Sequence, residues 1–160
     1  MKLIDTKSIG LELKSFDFND LIKIIDRNNF ETELNGNWMR NFIFDNSFVI
    51  CNVQKDKDLF YLYRDLNTIF NKEQKHSDMH FFVSFSSGGK CNPHIDKYDV
   101  FILGLHGKTL YKNAEEEIIL EPGKVLHIPQ GEEHRAIGIT PRIVLSFACY
   151  EGDNEIKRYM

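Results

Sequence analysis

Apolar positions change period along this chain. In the first half they recur at helical spacing in two stretches. Asp17-Phe18-Asn19-Asp20 supplies an N-cap and an acidic first turn, and Leu21, Ile22, Ile24 and Ile25 follow as one stripe that Asn28-Asn29 ends. Asp58 is placed to cap the second stretch, in which Leu59, Leu62, Tyr63, Leu66, Ile69 and Phe70 repeat at helical intervals. The short apolar start within residues 1–14 fits an edge strand, and SFVICNV (47–53) reads as another strand. Residues 31–46 are polar and broken by the turn signal Asn35-Gly36-Asn37, with Trp38 expected as a core plug. Lys72–Asp78 is a polar connector, too short and mild to separate two domains.

From His80 the period is that of β structure. HFFVSFS, DVFILGL, KTLYKN, EEIIL, KVLHIP, EHRAIGI and RIVLSFACY are short runs separated by Gly-Gly, Asn-Ala, Pro-Gly, Gln-Gly and Thr-Pro. Such spacing predicts an antiparallel sandwich or barrel. DVFILGL is apolar at nearly every position, so that strand is covered on both faces, by an opposing sheet and by the N-terminal helices. With 160 residues the chain is read as one mainly β domain. Residues 1–79 are its helical and strand cover, and residues 80–150 are its β-barrel core.

Composition narrows the function classes. A net charge of −4 with no basic stripe argues against nucleic acid. No apolar run reaches the length of a membrane span, and Met1-Lys2-Leu3-Ile4-Asp5 turns polar too soon for a signal peptide. Cys51, Cys91 and Cys149 are few, odd in number and widely spaced. They point to a reducing cytoplasm rather than a disulfide framework, and they lack zinc-finger spacing.

The candidate chemistry lies between Gly88 and Gly138. His94 and Asp96 stand two apart, so on an extended strand they share a face, roughly 7 Å apart at Cα. His134 must come from another strand. Two histidines and one carboxylate can hold a metal on one face of an octahedron and leave the opposite face open. His127 is read as a wall residue, while His76, His80 and His106 have no supporting pattern. Asp99 has the wrong strand parity for a ligand, Glu132 and Glu133 belong to a turn beside His134, and Cys91 is read as a packing residue.

The two blocks GGKCNPHIDKYDVFILGLHGK and GKVLHIPQGEEH resemble the two motifs of the cupin superfamily. Gly88, His94, Asp96, Val100 and Gly107 fall at the spacings of the first motif, and Gly123, Pro129, Gly131 and His134 match the second. Asp96 stands where cupins have a second His, and Val100 where they have a Glu. These departures leave a two-His-one-carboxylate triad. PHIDKYDVFILGLHGK and PGKVLHIPQGEEH are also similar to JmjC-type hydroxylases of the ribosomal-oxygenase and asparaginyl-hydroxylase branch. The resemblance implies a double-stranded β-helix (cupin jelly roll) and a dioxygenase that uses Fe(II), 2-oxoglutarate and O2. Its reaction couples 2-oxoglutarate decarboxylation to hydroxylation of a C–H bond. His94, Asp96 and His134 would be the catalytic metal ligands.

A 2-oxoglutarate site also needs a cation for the distal carboxylate. In the resembling hydroxylases that residue would align with Thr109. The candidates here are Lys108 beside it, Arg142 at the start of the last strand, or Thr109 together with Ser146 or Tyr98. Two further classes stay open: a metal-binding cupin without 2-oxoglutarate, acting as a small-substrate dioxygenase or isomerase, and a non-catalytic ligand-sensing cupin. The chain is short for a protein hydroxylase of this kind. A peptide, amino acid or small molecule is therefore as good a substrate as a protein, and a homodimer is expected by resemblance only.

Overall fold

The structure, a computed structural model, describes residues 1–30, 32–35 and 47–151. Trp38 and the Gly36-Asn37 part of the expected turn lie outside the described residues. The elements in chain order are β1 (Lys2–Asp5), α1 (Phe18–Arg27), β2 (Thr32–Asn35), β3 (Ser47–Ile50), α2 (Leu59–Phe70), β4 (His76–Ser84), β5 (Lys90–Ile95), β6 (Asp99–His106), β7 (Thr109–Lys112), β8 (Glu117–Leu120), β9 (Lys124–Ile128), β10 (Glu133–Gly138) and β11 (Arg142–Tyr150). Two short 3-10 turns follow β1 and β3.

The strands make two antiparallel sheets. One runs β1-β9-β6-β11-β4-β3-β2 and the other β5-β10-β7-β8. The eight strands β4–β11 divide four and four between the sheets. This is the double-stranded β-helix, or jelly roll, that the motifs implied. Three strands from the first half of the chain extend the larger sheet: β1 pairs with β9, and β3 with β4 and β2. The first half therefore contributes sheet as well as helical cover. His76, expected on a loop, opens β4.

Side-chain alternation sorts the larger sheet into two cores. Met79, Phe81, Val83, Phe101, Leu103, Ile143, Leu145 and Phe147 face outward and pack with Leu21 and Ile24 of α1 and Leu59 and Leu66 of α2. Phe70 of α2 stacks on Phe101 at 4.1 Å between ring centroids. Val100, Ile102, Leu126, Ile128, Val144 and Ala148 face inward and meet Cys91, Tyr111, Leu120 and Ala136 of the smaller sheet. Strand β6 is thus covered on both faces, as its unbroken apolar run requires.

The helices depart from expectation in two details. In α1 only Leu21 and Ile24 are buried, whereas Ile22 and Ile25 are exposed. In α2, Asp58 makes no capping bond. Asp56 does that work instead: its Oδ1 accepts from the backbone N–H groups of Asp58 and Leu59 at 2.9 and 3.3 Å. Asp58 is drawn away by Arg27, whose Nη2 donates to it at 2.7 Å.

Arg27 also clamps Asp56 through Nε and Nη2 at 2.6 and 2.7 Å, which ties the end of α1 to the start of α2. Asn28 Nδ2 adds a bond to Asp56 at 2.7 Å. Burial raises the carboxyl pKa, but the Arg27 and Asn28 bonds outweigh it and hold Asp56 at about 2, against an ordinary 3.8. A carboxyl whose folded pKa lies below its unfolded one stabilises the fold above the unfolded value. That contribution is lost as pH falls through the folded value. Asp56 is therefore expected to contribute about 2 kcal/mol at neutral pH, lost between about pH 4 and pH 2. Asp56→Asn should lower the chemical-denaturation stability at pH 7 by about that amount and flatten its decline in this window.

Candidate metal centre

Strand β5 carries His94, β10 carries His134, and the two residues face each other across the ladder. Their ring centroids are 4.3 Å apart. The register slips between this pair and Ala136↔Cys91, so β5 holds one extra residue there. Such a bulge turns Cys91 and His94 to the same side despite their odd spacing. Asp96 follows the end of β5 rather than sharing a strand with His94. Its position is set by the other motif: the Gly131 N–H donates to the Asp96 carbonyl at 2.9 Å. Gly131 has φ +81°, the left-handed backbone that the turn into β10 requires and that glycine adopts at little cost.

Each histidine is oriented by the same device. His94 Nδ1 lies 2.8 Å from the Asn92 carbonyl and His134 Nδ1 lies 3.1 Å from the Glu132 carbonyl. A carbonyl only accepts, so Nδ1 carries the proton in both rings and Nε2 presents its lone pair. The two Nε2 atoms are 4.0 and 3.7 Å from Asp96 Oδ2. One donor atom from each of His94, Asp96 and His134 falls within 4.8 Å of the other two. Among the described residues this is the one His/Cys/Asp/Glu group so placed.

The donor set fits a divalent metal. Its two nitrogens and one oxygen suit iron, cobalt or manganese, and it leaves coordination positions free. Burial is graded, with side-chain exposures of 44% for His94, 21% for Asp96 and 5% for His134. Burial pushes the His134 imidazole below its ordinary value, against the contact with the Glu132 carbonyl, and the nearby His94 adds to the shift. A neutral imidazole is the form that binds a metal.

Behind the three side chains a cavity runs between the sheets. Phe82, Val100, Ile102 and Ala136 give it apolar walls, and Cys91, Tyr111, Ser146 and Arg142 complete the lining. Arg142 is 1% exposed. Its Nε donates to Ser84 Oγ at 3.2 Å, Nη1 to Thr109 Oγ1 at 3.2 Å and Nη2 to Ser47 Oγ at 2.9 Å. The Tyr111 hydroxyl also contacts Arg142, and burial pushes that hydroxyl up to about 12. No carboxylate among the described residues forms an ion pair with Arg142.

The cation candidates therefore separate. Arg142 and Ser146 line the cavity, and Thr109 is fully buried against Arg142. Lys108 is a correction: it points outward and pairs with Glu121 at 2.6 Å, because Thr109 takes the inward position on β7. Tyr98 is a second correction. It lies outside the cavity lining, with its ring 5.8 Å from that of Tyr150. His127, expected in the wall, faces the outer core, where it stacks on Phe101 at 4.6 Å and contacts Asp99 Oδ1 at 2.8 Å. Cys91, which could line the pocket or simply pack and is read from the sequence as packing, does both: it belongs to the inner core and lines the cavity. Ser47, Ser84 and Tyr111 were not singled out from the sequence. The available signal was a hydroxyl at an inward position of an otherwise apolar strand.

A structure of YcfD from Escherichia coli superposes on the chain with a TM-score of 0.72 over 96% of this chain and 50% of that one, at 16% identity. The chain shares the fold of YcfD. A YcfD structure described as a ribosomal oxygenase in complex with cobalt and 2-oxoglutarate matches with a TM-score of 0.70 and 18% identity, over 89% of this chain and 46% of that one. A further YcfD structure, in complex with cobalt and succinic acid, matches over the same shares at 17% identity and the same TM-score. The chain thus spans about half the length of the YcfD chains. No protein-family model and no curated protein matches the sequence. None of the helices among the described residues is long and apolar enough to cross a membrane.

Loss of one ligand from a three-ligand site should cost at least the ~100-fold that loss of an outer-shell partner can cost. Asp96→Asn, which removes the formal negative charge of the set, is expected to weaken Mn(II) binding by that factor in titration calorimetry. Wild-type affinity in this variant would show that the three side chains do not hold a common ion.

Proposed function

We propose that the protein is an Fe(II)- and 2-oxoglutarate-dependent dioxygenase that hydroxylates a C–H bond of a peptide, amino acid or small molecule. One observation carries this reading. A single cavity has two imidazoles and a carboxylate at its mouth and, inside it, a buried guanidinium that pairs with no carboxylate among the described residues. The described partners of Arg142 are neutral, and a buried cation so held is costly unless an anion joins it. A ligand with a metal-chelating end and a distal carboxylate answers both ends of the cavity. The YcfD structures with cobalt and 2-oxoglutarate or succinic acid support the same assignment on a shared fold.

His94 and His134 would hold the metal through Nε2 and Asp96 through its carboxylate. When bound, Fe(II) supplies the oxygen activation that couples 2-oxoglutarate decarboxylation to hydroxylation. Arg142 would pair with the distal carboxylate and so fix the cosubstrate's orientation. Tyr111, kept a neutral phenol by burial, is placed to donate beside it. Phe82, Val100, Ile102 and Ala136 exclude water from the space between. Cys51, Cys91 and Cys149 are buried and unbridged, which supports a cytoplasmic setting.

The test is succinate formation from 2-oxoglutarate with Fe(II) and ascorbate. Arg142→Ala is expected to raise the KM for 2-oxoglutarate by about 100-fold, the scale of deleting one partner of a buried charge pair, while Mn(II) affinity is kept. Turnover that survives His94→Ala would overturn the assigned centre. In Mn(II)-loaded protein 2-oxoglutarate should raise the melting midpoint. Absence of that shift would favour a metal-binding cupin that does not use 2-oxoglutarate.

A further inference from the structure

The guanidinium of Arg142 is held by hydroxyls from both sheets. Ser47 opens β3, Ser84 closes β4 and Thr109 opens β7, and all three are fully buried. Each takes an N–H from a different nitrogen of the same group. A guanidinium is planar and has five N–H groups, so three bonds in three directions fix its plane and leave donors for a ligand. Ser47 Oγ and Ser84 Oγ are themselves 2.9 Å apart, so one donates to the other while both accept from Arg142.

Carboxylates at these positions would fix the plane equally well, but they would cancel the charge. Neutral hydroxyls orient the cation and leave its charge for an incoming anion. Ser47 also comes from outside both metal-site motifs, on a strand of the first half of the chain.

Building on the dioxygenase reading, we propose that Ser47 and Ser84 are positioning residues for the cosubstrate, and that their lack of charge keeps Arg142 competent to bind a dicarboxylate. They act through Arg142 rather than by touching the cosubstrate.

The test measures 2-oxoglutarate binding to full-length, Mn(II)-loaded protein by titration calorimetry, together with Mn(II) affinity and the melting midpoint of the free protein. Ser47→Ala removes one acceptor from the cation and is expected to weaken 2-oxoglutarate binding about tenfold with Mn(II) affinity unchanged. Ser47→Thr restores the hydroxyl and is expected to bring binding back to within about threefold of wild type. Ser47→Asp places a carboxylate on Arg142 in the ligand's stead. It is expected to weaken 2-oxoglutarate binding by at least about 100-fold without lowering the midpoint of the free protein. Ser84→Ala serves where Ser47→Ala does not fold, with the same expected split.

Unchanged 2-oxoglutarate affinity in Ser47→Ala and Ser47→Asp overturns the proposal and leaves the dioxygenase reading intact. Equal losses of Mn(II) and 2-oxoglutarate affinity with a lowered midpoint mark a merely structural role and also overturn it. A wild-type protein that binds Mn(II) but no 2-oxoglutarate overturns both.

Discussion

Strand β11 is buried along nearly its whole length, and its alternate side chains go to two different places. Ile143, Leu145 and Phe147 join the outer core beneath the helices. Arg142, Val144, Ser146 and Ala148 face the space between the sheets. A slip of one residue would exchange the two sets and drive the guanidinium into the outer core. The pairings of β11 with β4 and β6 hold it against that slip, over nine and seven residue pairs respectively. The cavity, both cores and the cation's place inside the molecule follow from that one alternation.

Much of the architecture could be read directly from period and turn residues. The runs DVFILGL and RIVLSFACY are too uniformly apolar for a sheet with one wet face, and both proved to be covered twice. The meeting of His94, Asp96 and His134 was legible for a different reason. Glycines at fixed offsets demand left-handed turns, and those turns place strand ends where the side chains converge.

What stayed hidden depended on parity and on distant partners. Lys108 and Thr109 are neighbours in sequence, and only the pairing of β7 shows which one faces in. His127 shares a strand with inward-facing Leu126 and Ile128, and alternation sends it to the opposite face. The partners of Arg142 lie 33, 58 and 95 residues away in sequence, beyond the reach of any local pattern. Asp58 looked like the cap of α2 because it directly precedes the helix. The ion pairs that Arg27 makes with it and with Asp56 reassign that role.

The turn between β6 and β7 bears on the cation from outside the cavity. Gly107 has φ +69°, and a Cβ built there would lie 2.0 Å from the Pro141 carbonyl oxygen. Pro141 immediately precedes Arg142. A single methyl group at position 107 would have to displace the backbone that leads directly into Arg142. The last glycine of the first motif therefore works as a spacer: its missing side chain lets this turn lie against the backbone that leads into the arginine.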